Sequence, residues 1–164
     1  MKPLSKSISI KLDRIDKNII RELQINGRMQ NNDLAREIGL SPSSCLRRVK
    51  LLEESGVIQS YTTIVDPQKI GLQLILFSRI WLVGQDAETI DCFIEAMKEL
   101  PQVMECYIIL GESDAMLKVV VPDLESYRKL QSARLTKKYG ITSVKTDLPS
   151  QIIKQSFQLP LDDL

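Results

Sequence analysis

The chain has 164 residues, 22 Lys+Arg against 21 Asp+Glu, and no histidine. That length allows one medium domain or two small ones, and the lack of histidine removes the commonest general base and the commonest zinc ligand, which weighs against an enzyme. No apolar run approaches the roughly 18 residues of a transmembrane helix, the N-terminal MKPLSKSISIK lacks the apolar core of a secretory signal, and Cys45, Cys92 and Cys106 have no metal-ligand spacing, so a reduced cytoplasm is the expected setting.

Residues 1–11 read as a flexible basic tail carrying Lys2, Lys6 and Lys11. Leu12 to Gln24 reads as a helix: Leu12, Ile15, Ile19 and Leu23 form an apolar stripe, Asp13 is placed to cap it, and Gly27 closes it. Asn31, Asn32 and Asp33 supply helix-start chemistry for a short second helix with Leu34, Ala35 and Ile38 on its apolar face, ended by Gly39. Ser41 then caps a third helix with Pro42 at its first position, stopped by Gly56.

The third helix carries the functional signal. At about 100° per residue, Cys45, Val49 and Leu52 share one face, while Arg47 points away between Ser43 and Ser44, with Arg48 and Lys50 on the two sides. Hydroxyls near a helix start followed by cations are what a major-groove recognition helix needs. An ordinary amphipathic helix with a solvated basic face fits the same pattern, and Leu51 on the outward side favours neither. The charge balance is +4 in residues 1–60 and −3 beyond, in keeping with one module that touches phosphate joined to one that does not.

Val57 to Val65 is rich in β-branched residues and reads as a strand, ended by the turn signal Asp66-Pro67. Gly71 to Gly84 is a further strand, apolar on both faces and so expected to be covered on both. Arg79 is its anomaly, reaching either the rim of an assembly contact or an acidic neighbour. Asp86 to Leu100 reads as a helix, Val103 to Leu110 and Ala115 to Val121 as strands, Asp123 to about Tyr139 as a helix, and Ile141 to Ile153 as a last strand interrupted near Pro149. This βαββαβ order predicts an α+β chain: a three-helix, winged helix-turn-helix domain followed by a ferredoxin-like domain. The expected boundaries are 12–60 (motif about 31–50), a hinge over 61–73, and 74–161. One sheet face would be left for a second subunit to cover.

The segments LDRIDKNIIRELQINGR and DLAREIGLSPSSCLRRVKLLEESGVI resemble the DNA-binding domain of the Lrp/AsnC, or feast/famine, transcription regulators. PQVMECYIILGESDAMLKVVVPDLESYRKL and IIKQSFQLPL resemble the effector and assembly domain of that family, so the resemblance runs from Leu12 to about Leu161. It implies a hinge that pairs with its counterpart in a dimer, a higher assembly such as an octamer, and an amino acid bound where subunits meet. Gly111 and Asp114 match the family's Gly-x-x-Asp turn near that site, and Thr146 matches a hydroxyl position. Ala115, Val144 and Pro149 depart from the pattern.

The resulting expectation is a cytoplasmic, non-enzymatic regulator of amino-acid metabolism genes that binds double-stranded DNA, without a cofactor, a metal or a membrane contact. Ser43, Ser44 and Arg47 are the candidates for base edges, and Arg48 and Lys50 for phosphates. Gly111, Glu112, Asp114 and Thr146 are the candidates for an amino-acid effector: backbone N–H groups for its carboxylate, an acid for its ammonium. The competing readings are an amino-acid-sensing module acting through protein partners, and a small enzyme with an accessory helical domain.

Overall fold

Local capping chemistry sets where the helices begin in the computed structural model, which describes residues 11–161; the basic tail falls almost wholly outside that range. The chain divides into two compact units, residues 11–64 with 154–161, and residues 65–153.

In the first unit α1 spans Arg14–Ile25, α2 Asn31–Glu37 and α3 Pro42–Glu54. Asp13 accepts the Asp16 N–H at 2.8 Å and Asp16 accepts the Asp13 N–H at 3.2 Å, a reciprocal box that satisfies two free donors at once. Gly39 ends α2 with φ 71°, which lets its own N–H reach the Arg36 carbonyl and the Leu40 N–H reach the Ala35 carbonyl. Each helix gives side chains to one small core: Ile19 from α1, Leu34 and Ala35 from α2, and Cys45 and Leu52 from α3. In the C-terminal tail, the Leu159 N–H donates to Gln24 Oε1 at 2.6 Å, and Leu161 is buried.

The segment Val57 to Val65, expected as a strand, is irregular in this chain. Its β-branched residues tolerate extended backbone, but among the described residues no strand pairs with it to complete a ladder, and no wing strand follows α3. Tyr61 anchors it instead: the hydroxyl donates to Glu53 Oε1 at 2.8 Å, and the ring lies against Gly27. Partial burial, then the Glu53 hydrogen bond, push this phenol up to about 12.

The second unit is β1 (Leu74–Leu82), α4 (Ala87–Lys98), β2 (Val103–Ile108), β3 (Ala115–Val121), α5 (Leu124–Arg134) and β4 (Ile141–Asp147). The sheet order is β2-β3-β1-β4 and all pairs are antiparallel, the ferredoxin-like plan. Leu76 and Ile80 of β1, Leu117 and Val119 of β3, Phe93 of α4 and Tyr127 and Leu130 of α5 build the core between sheet and helices. Ile75, Phe77, Arg79 and Trp81 alternate onto the other sheet face, which is only partly covered by this chain; Phe77 keeps 36% of its surface exposed. The expectation that both faces of β1 are covered is therefore not met within one chain.

Two element ends differ most from the sequence reading. α5 ends at Arg134 rather than near Tyr139, because Leu135 turns into the core and only a short 3-10 turn, Lys137–Tyr139, follows before Gly140. β4 stops at Asp147 rather than Ile153, ahead of Pro149, which has no N–H for a ladder.

Asp86 and Asp123 cap α4 and α5 by accepting the Thr89 and Ser126 backbone N–H groups. Those N–H groups hold both carboxyls below the usual aspartate range. A depressed folded pKa means that the unfolded chain binds more protons in this window, so the stabilisation is present above the unfolded pKa and is lost as pH falls through the folded one. Melting temperature is thus expected to fall with acidification below about pH 4. Asn caps as well as Asp but does not titrate. The double variant Asp86→Asn, Asp123→Asn should therefore melt with a shallower acid dependence, and an unchanged slope would count against these caps as its source.

Candidate functional site

The outward surface of α3 follows from what its inward surface buries. Ser41, in extended backbone, accepts the Ser44 N–H at 3.3 Å, and its hydroxyl donates to Ser44 Oγ at 2.9 Å. Asn31, the first residue of α2, donates its side-chain amide to the Pro42 carbonyl at 2.8 Å and so ties the starts of the two helices together. Its expected part in capping α2 is not seen; Gln30 holds the cap position without a side-chain bond.

With Cys45 and Leu52 in the core, Ser43, Arg47 and Lys50 are all exposed. Among the described residues, neither Arg47 nor Lys50 has an intramolecular ion pair. Ser44 is half-buried and its hydroxyl is engaged by Ser41. Arg48 differs from its neighbours. It is rotated toward α1, where its guanidinium donates to Asp16 Oδ1 at 2.7 Å and Asp13 Oδ2 at 2.8 Å. These hydrogen bonds, the one from Asp16 first, raise the pKa of Arg48. The α3 surface thus separates into an exposed stripe of Ser43, Arg47 and Lys50, with the Ser43 hydroxyl 3.3 Å from that of Ser41, and one arginine already committed to the fold.

The second candidate site lies in the β2–β3 connection. Gly111 is exposed, has no positive φ, and a Cβ there would meet nothing closer than Ile109 Cγ2 at 3.5 Å. The Glu112 carbonyl accepts the Trp81 indole N–H at 2.9 Å. Both Asp114 carboxylate oxygens are used: Oδ2 accepts the Leu82 backbone N–H at 2.7 Å, and Oδ1 accepts the Gln85 amide at 2.8 Å. β1 and β3 stop pairing at Ile80 and Ala115, so the Asp114 side chain replaces the strand that Leu82 has lost.

Thr146 is not part of this group within one chain. It pairs across the sheet with Ser78, about 13 Å along β1 from Leu82. Its hydroxyl bonds to those of Ser78 and Tyr127, and the Ser78 and Tyr127 hydroxyls lie 2.9 Å apart. Trp81, Gln85, Tyr127 and the Asp13–Asp16 pair were not foreseen as partners of the candidate residues. Each acts across a sequence separation of 29 or more, except for Tyr127 at 19 from Thr146, and no local pattern marks such pairings. Arg79, for which two readings were open, pairs with the acidic neighbour: it donates to Asp147 at 2.9 Å, while its Nε is buried without a partner.

Residues 12–59 match a winged helix-turn-helix DNA-binding family model, and residues 75–159 match the Lrp/AsnC ligand binding domain. The chain is 40% identical over 157 residues to the transcriptional regulator AzlB of Bacillus subtilis, covering 96% of this chain and 100% of that protein. It is 38% identical over 148 residues to the leucine-responsive regulatory protein of Escherichia coli, covering 90% of each. Among solved structures, a transcriptional regulator from Neisseria meningitidis in an L-Met complex aligns with a TM-score of 0.88 and 30% identity, covering 93% of this chain and 98% of that one. An AsnC family transcriptional regulator from Agrobacterium tumefaciens aligns with the same TM-score and 34% identity, covering 93% and 99%.

Proposed function

This chain belongs to the Lrp/AsnC family of transcriptional regulators, and from that premise we propose that α3 reads operator DNA while the β2–β3 turn takes part in binding an amino acid. The single observation that carries the DNA reading is the stripe of Ser43, Arg47 and Lys50, exposed and without ion pairs among the described residues, on the helix that the DNA-binding match includes. Ser43 and Arg47 face base edges and Lys50 a phosphate, with Ser44 at the margin. Arg48 holds α3 against α1 and contributes only its residual field.

The effector is a small amino acid, a reading supported by the ligand-binding domain match and by the L-Met complex of the Neisseria relative. Its carboxylate faces the backbone N–H groups of residues 111–113, with Asp114 positioning the turn. A second copy of the chain covers the sheet face of Ile75, Phe77 and Trp81, and the Val57 to Val65 segment gains there the neighbour it lacks in one chain. The dimer meets a two-fold operator and assembles further, toward an octamer or similar, in the cytoplasm. No catalytic step is assigned.

Two measurements test this. Operator affinity of the full chain should fall steeply and linearly in log–log form with salt, and Lys50→Ala should reduce that slope by about 1. A salt-independent affinity would favour a protein-binding role for the helix-turn-helix. A thermal-shift screen against the twenty amino acids should give a hit of about 2.7 kcal/mol at ligand near 100 Kd. A flat screen would remove the amino-acid reading and leave the DNA reading standing.

A further inference from the structure

An exposed leucine borders the polar stripe on α3. Ser43, Leu46, Arg47 and Lys50 stand at i, i+3, i+4 and i+7, the spacing that puts four residues on one helical face. Leu46 keeps 44% of its surface exposed and is not among the residues that pack against the helix-turn-helix core. Ser43 precedes it by one turn and Lys50 follows it by one turn, while Arg47 lies about 100° around the helix and Val49, three residues on, packs against the core. An isolated solvated leucine would need no explanation. One that lies along a hydroxyl and a cation, at the edge of the surface proposed to enter the major groove, faces a restricted set of partners.

Nearly everything on the floor of that groove is a hydrogen-bond donor or acceptor. The apolar feature is the C5-methyl of thymine. A leucine lowered there beside a base-reading arginine either desolvates acceptors it cannot satisfy or meets a methyl group. Leu51, the other exposed leucine of α3, lies more than a turn further along the axis and on the far flank of Arg47, away from the N-terminal part of a recognition helix that reaches base edges. We propose that Leu46 is a specificity residue that reads a thymine methyl in each half-site. The proposal rests on the reading of α3 as the base-contacting helix.

Burial of one methyl group against the leucine corresponds to about a three- to fivefold gain in affinity per half-site. The test uses the full-length protein. An operator is enriched from random duplex DNA, and each thymine in it is then replaced in turn by deoxyuridine, which deletes the methyl group and leaves base pairing intact. One position per half-site should weaken wild-type binding about three- to fivefold. In Leu46→Ala that penalty should vanish, while deoxyuridine effects elsewhere stay as in the wild type. Because Leu46 is outside the core, the variant should melt with the wild type. The DNA substitution also tests the idea in the unaltered protein. If no thymine is sensitive to loss of its methyl, or if the penalty persists unchanged in Leu46→Ala, the proposal is overturned. Failure to enrich any operator would instead overturn the DNA reading beneath it, so the two failures are distinct.

Discussion

Arg47→Ala is expected to weaken operator binding by about 1–3 kcal/mol, roughly 5- to 150-fold, and to leave binding to random DNA nearly unchanged. The guanidinium is exposed and has no ion pair among the described residues, so its removal leaves no buried carboxylate behind there and should not move the melting temperature. Arginine can donate two parallel hydrogen bonds to guanine O6 and N7. Lysine keeps the charge but loses the fork, so Arg47→Lys should recover only a small part of the lost operator affinity and leave random-DNA binding as it is. Anisotropy titrations on operator and scrambled duplexes at matched salt measure both. Equal losses on the two duplexes would make Arg47 a phosphate contact and end its base-reading assignment.

Arg48, one residue on and about 100° around the helix, should behave in the opposite way. Its two carboxylate partners sit on α1 and its cap, and its side chain is only 26% exposed, with Asp16 at 18%. Truncation leaves Asp16 largely covered with its charge uncompensated. Solvent still reaches the pair, which limits the loss to about 1 kcal/mol. Arg48→Ala should therefore lower the melting temperature by a few degrees and affect operator and random DNA alike, through the angle of α3.

These two arginines show how far a sequence can be read. Helical periodicity separates the buried face of α3 from the exposed one, and Asp13, Ser41, Asp86 and Asp123 announce helix starts because a cap acts within three residues. The committed state of Arg48 is invisible at that range, since Asp13 and Asp16 are 35 and 32 residues away. The Val57 to Val65 segment fails for a related reason. Propensity states which backbone a residue tolerates, whereas a strand also needs an edge to pair with, and the described residues offer it none. In β4 the two-residue alternation is broken by an irregularity opposite Trp81 and Leu82: Ile141 faces Leu82, but Ser143 faces Trp81. That break reverses the parity of the strand. It turns Val144 and Thr146 to the helix side with Ile141, where Thr146 meets Ser78 and Tyr127.

Asp114→Ala is expected to destabilise the second unit by about 1–3 kcal/mol, because it strands the partly buried Leu82 N–H on the side where β1 no longer pairs with β3. For a unit of this size each kcal/mol corresponds to about 4–8 °C. Loss of an amino-acid response in that variant would then say nothing about ligand contact, since the turn itself has loosened. Asp114→Asn separates the possibilities. The asparagine carbonyl can accept the Leu82 N–H, and its amide can donate to Gln85 once the Gln85 amide turns over, so both connections survive without the charge. If Asp114 positions the turn, the Asn variant keeps both its melting temperature and its ligand shift, and the Ala variant loses both. If the carboxylate receives the effector's ammonium, the Asn variant keeps its melting temperature and loses the shift. The two occupied oxygens favour positioning. The effector would then be held by backbone donors of residues 111–113 and by groups beyond this chain, and its identity would depend little on Asp114.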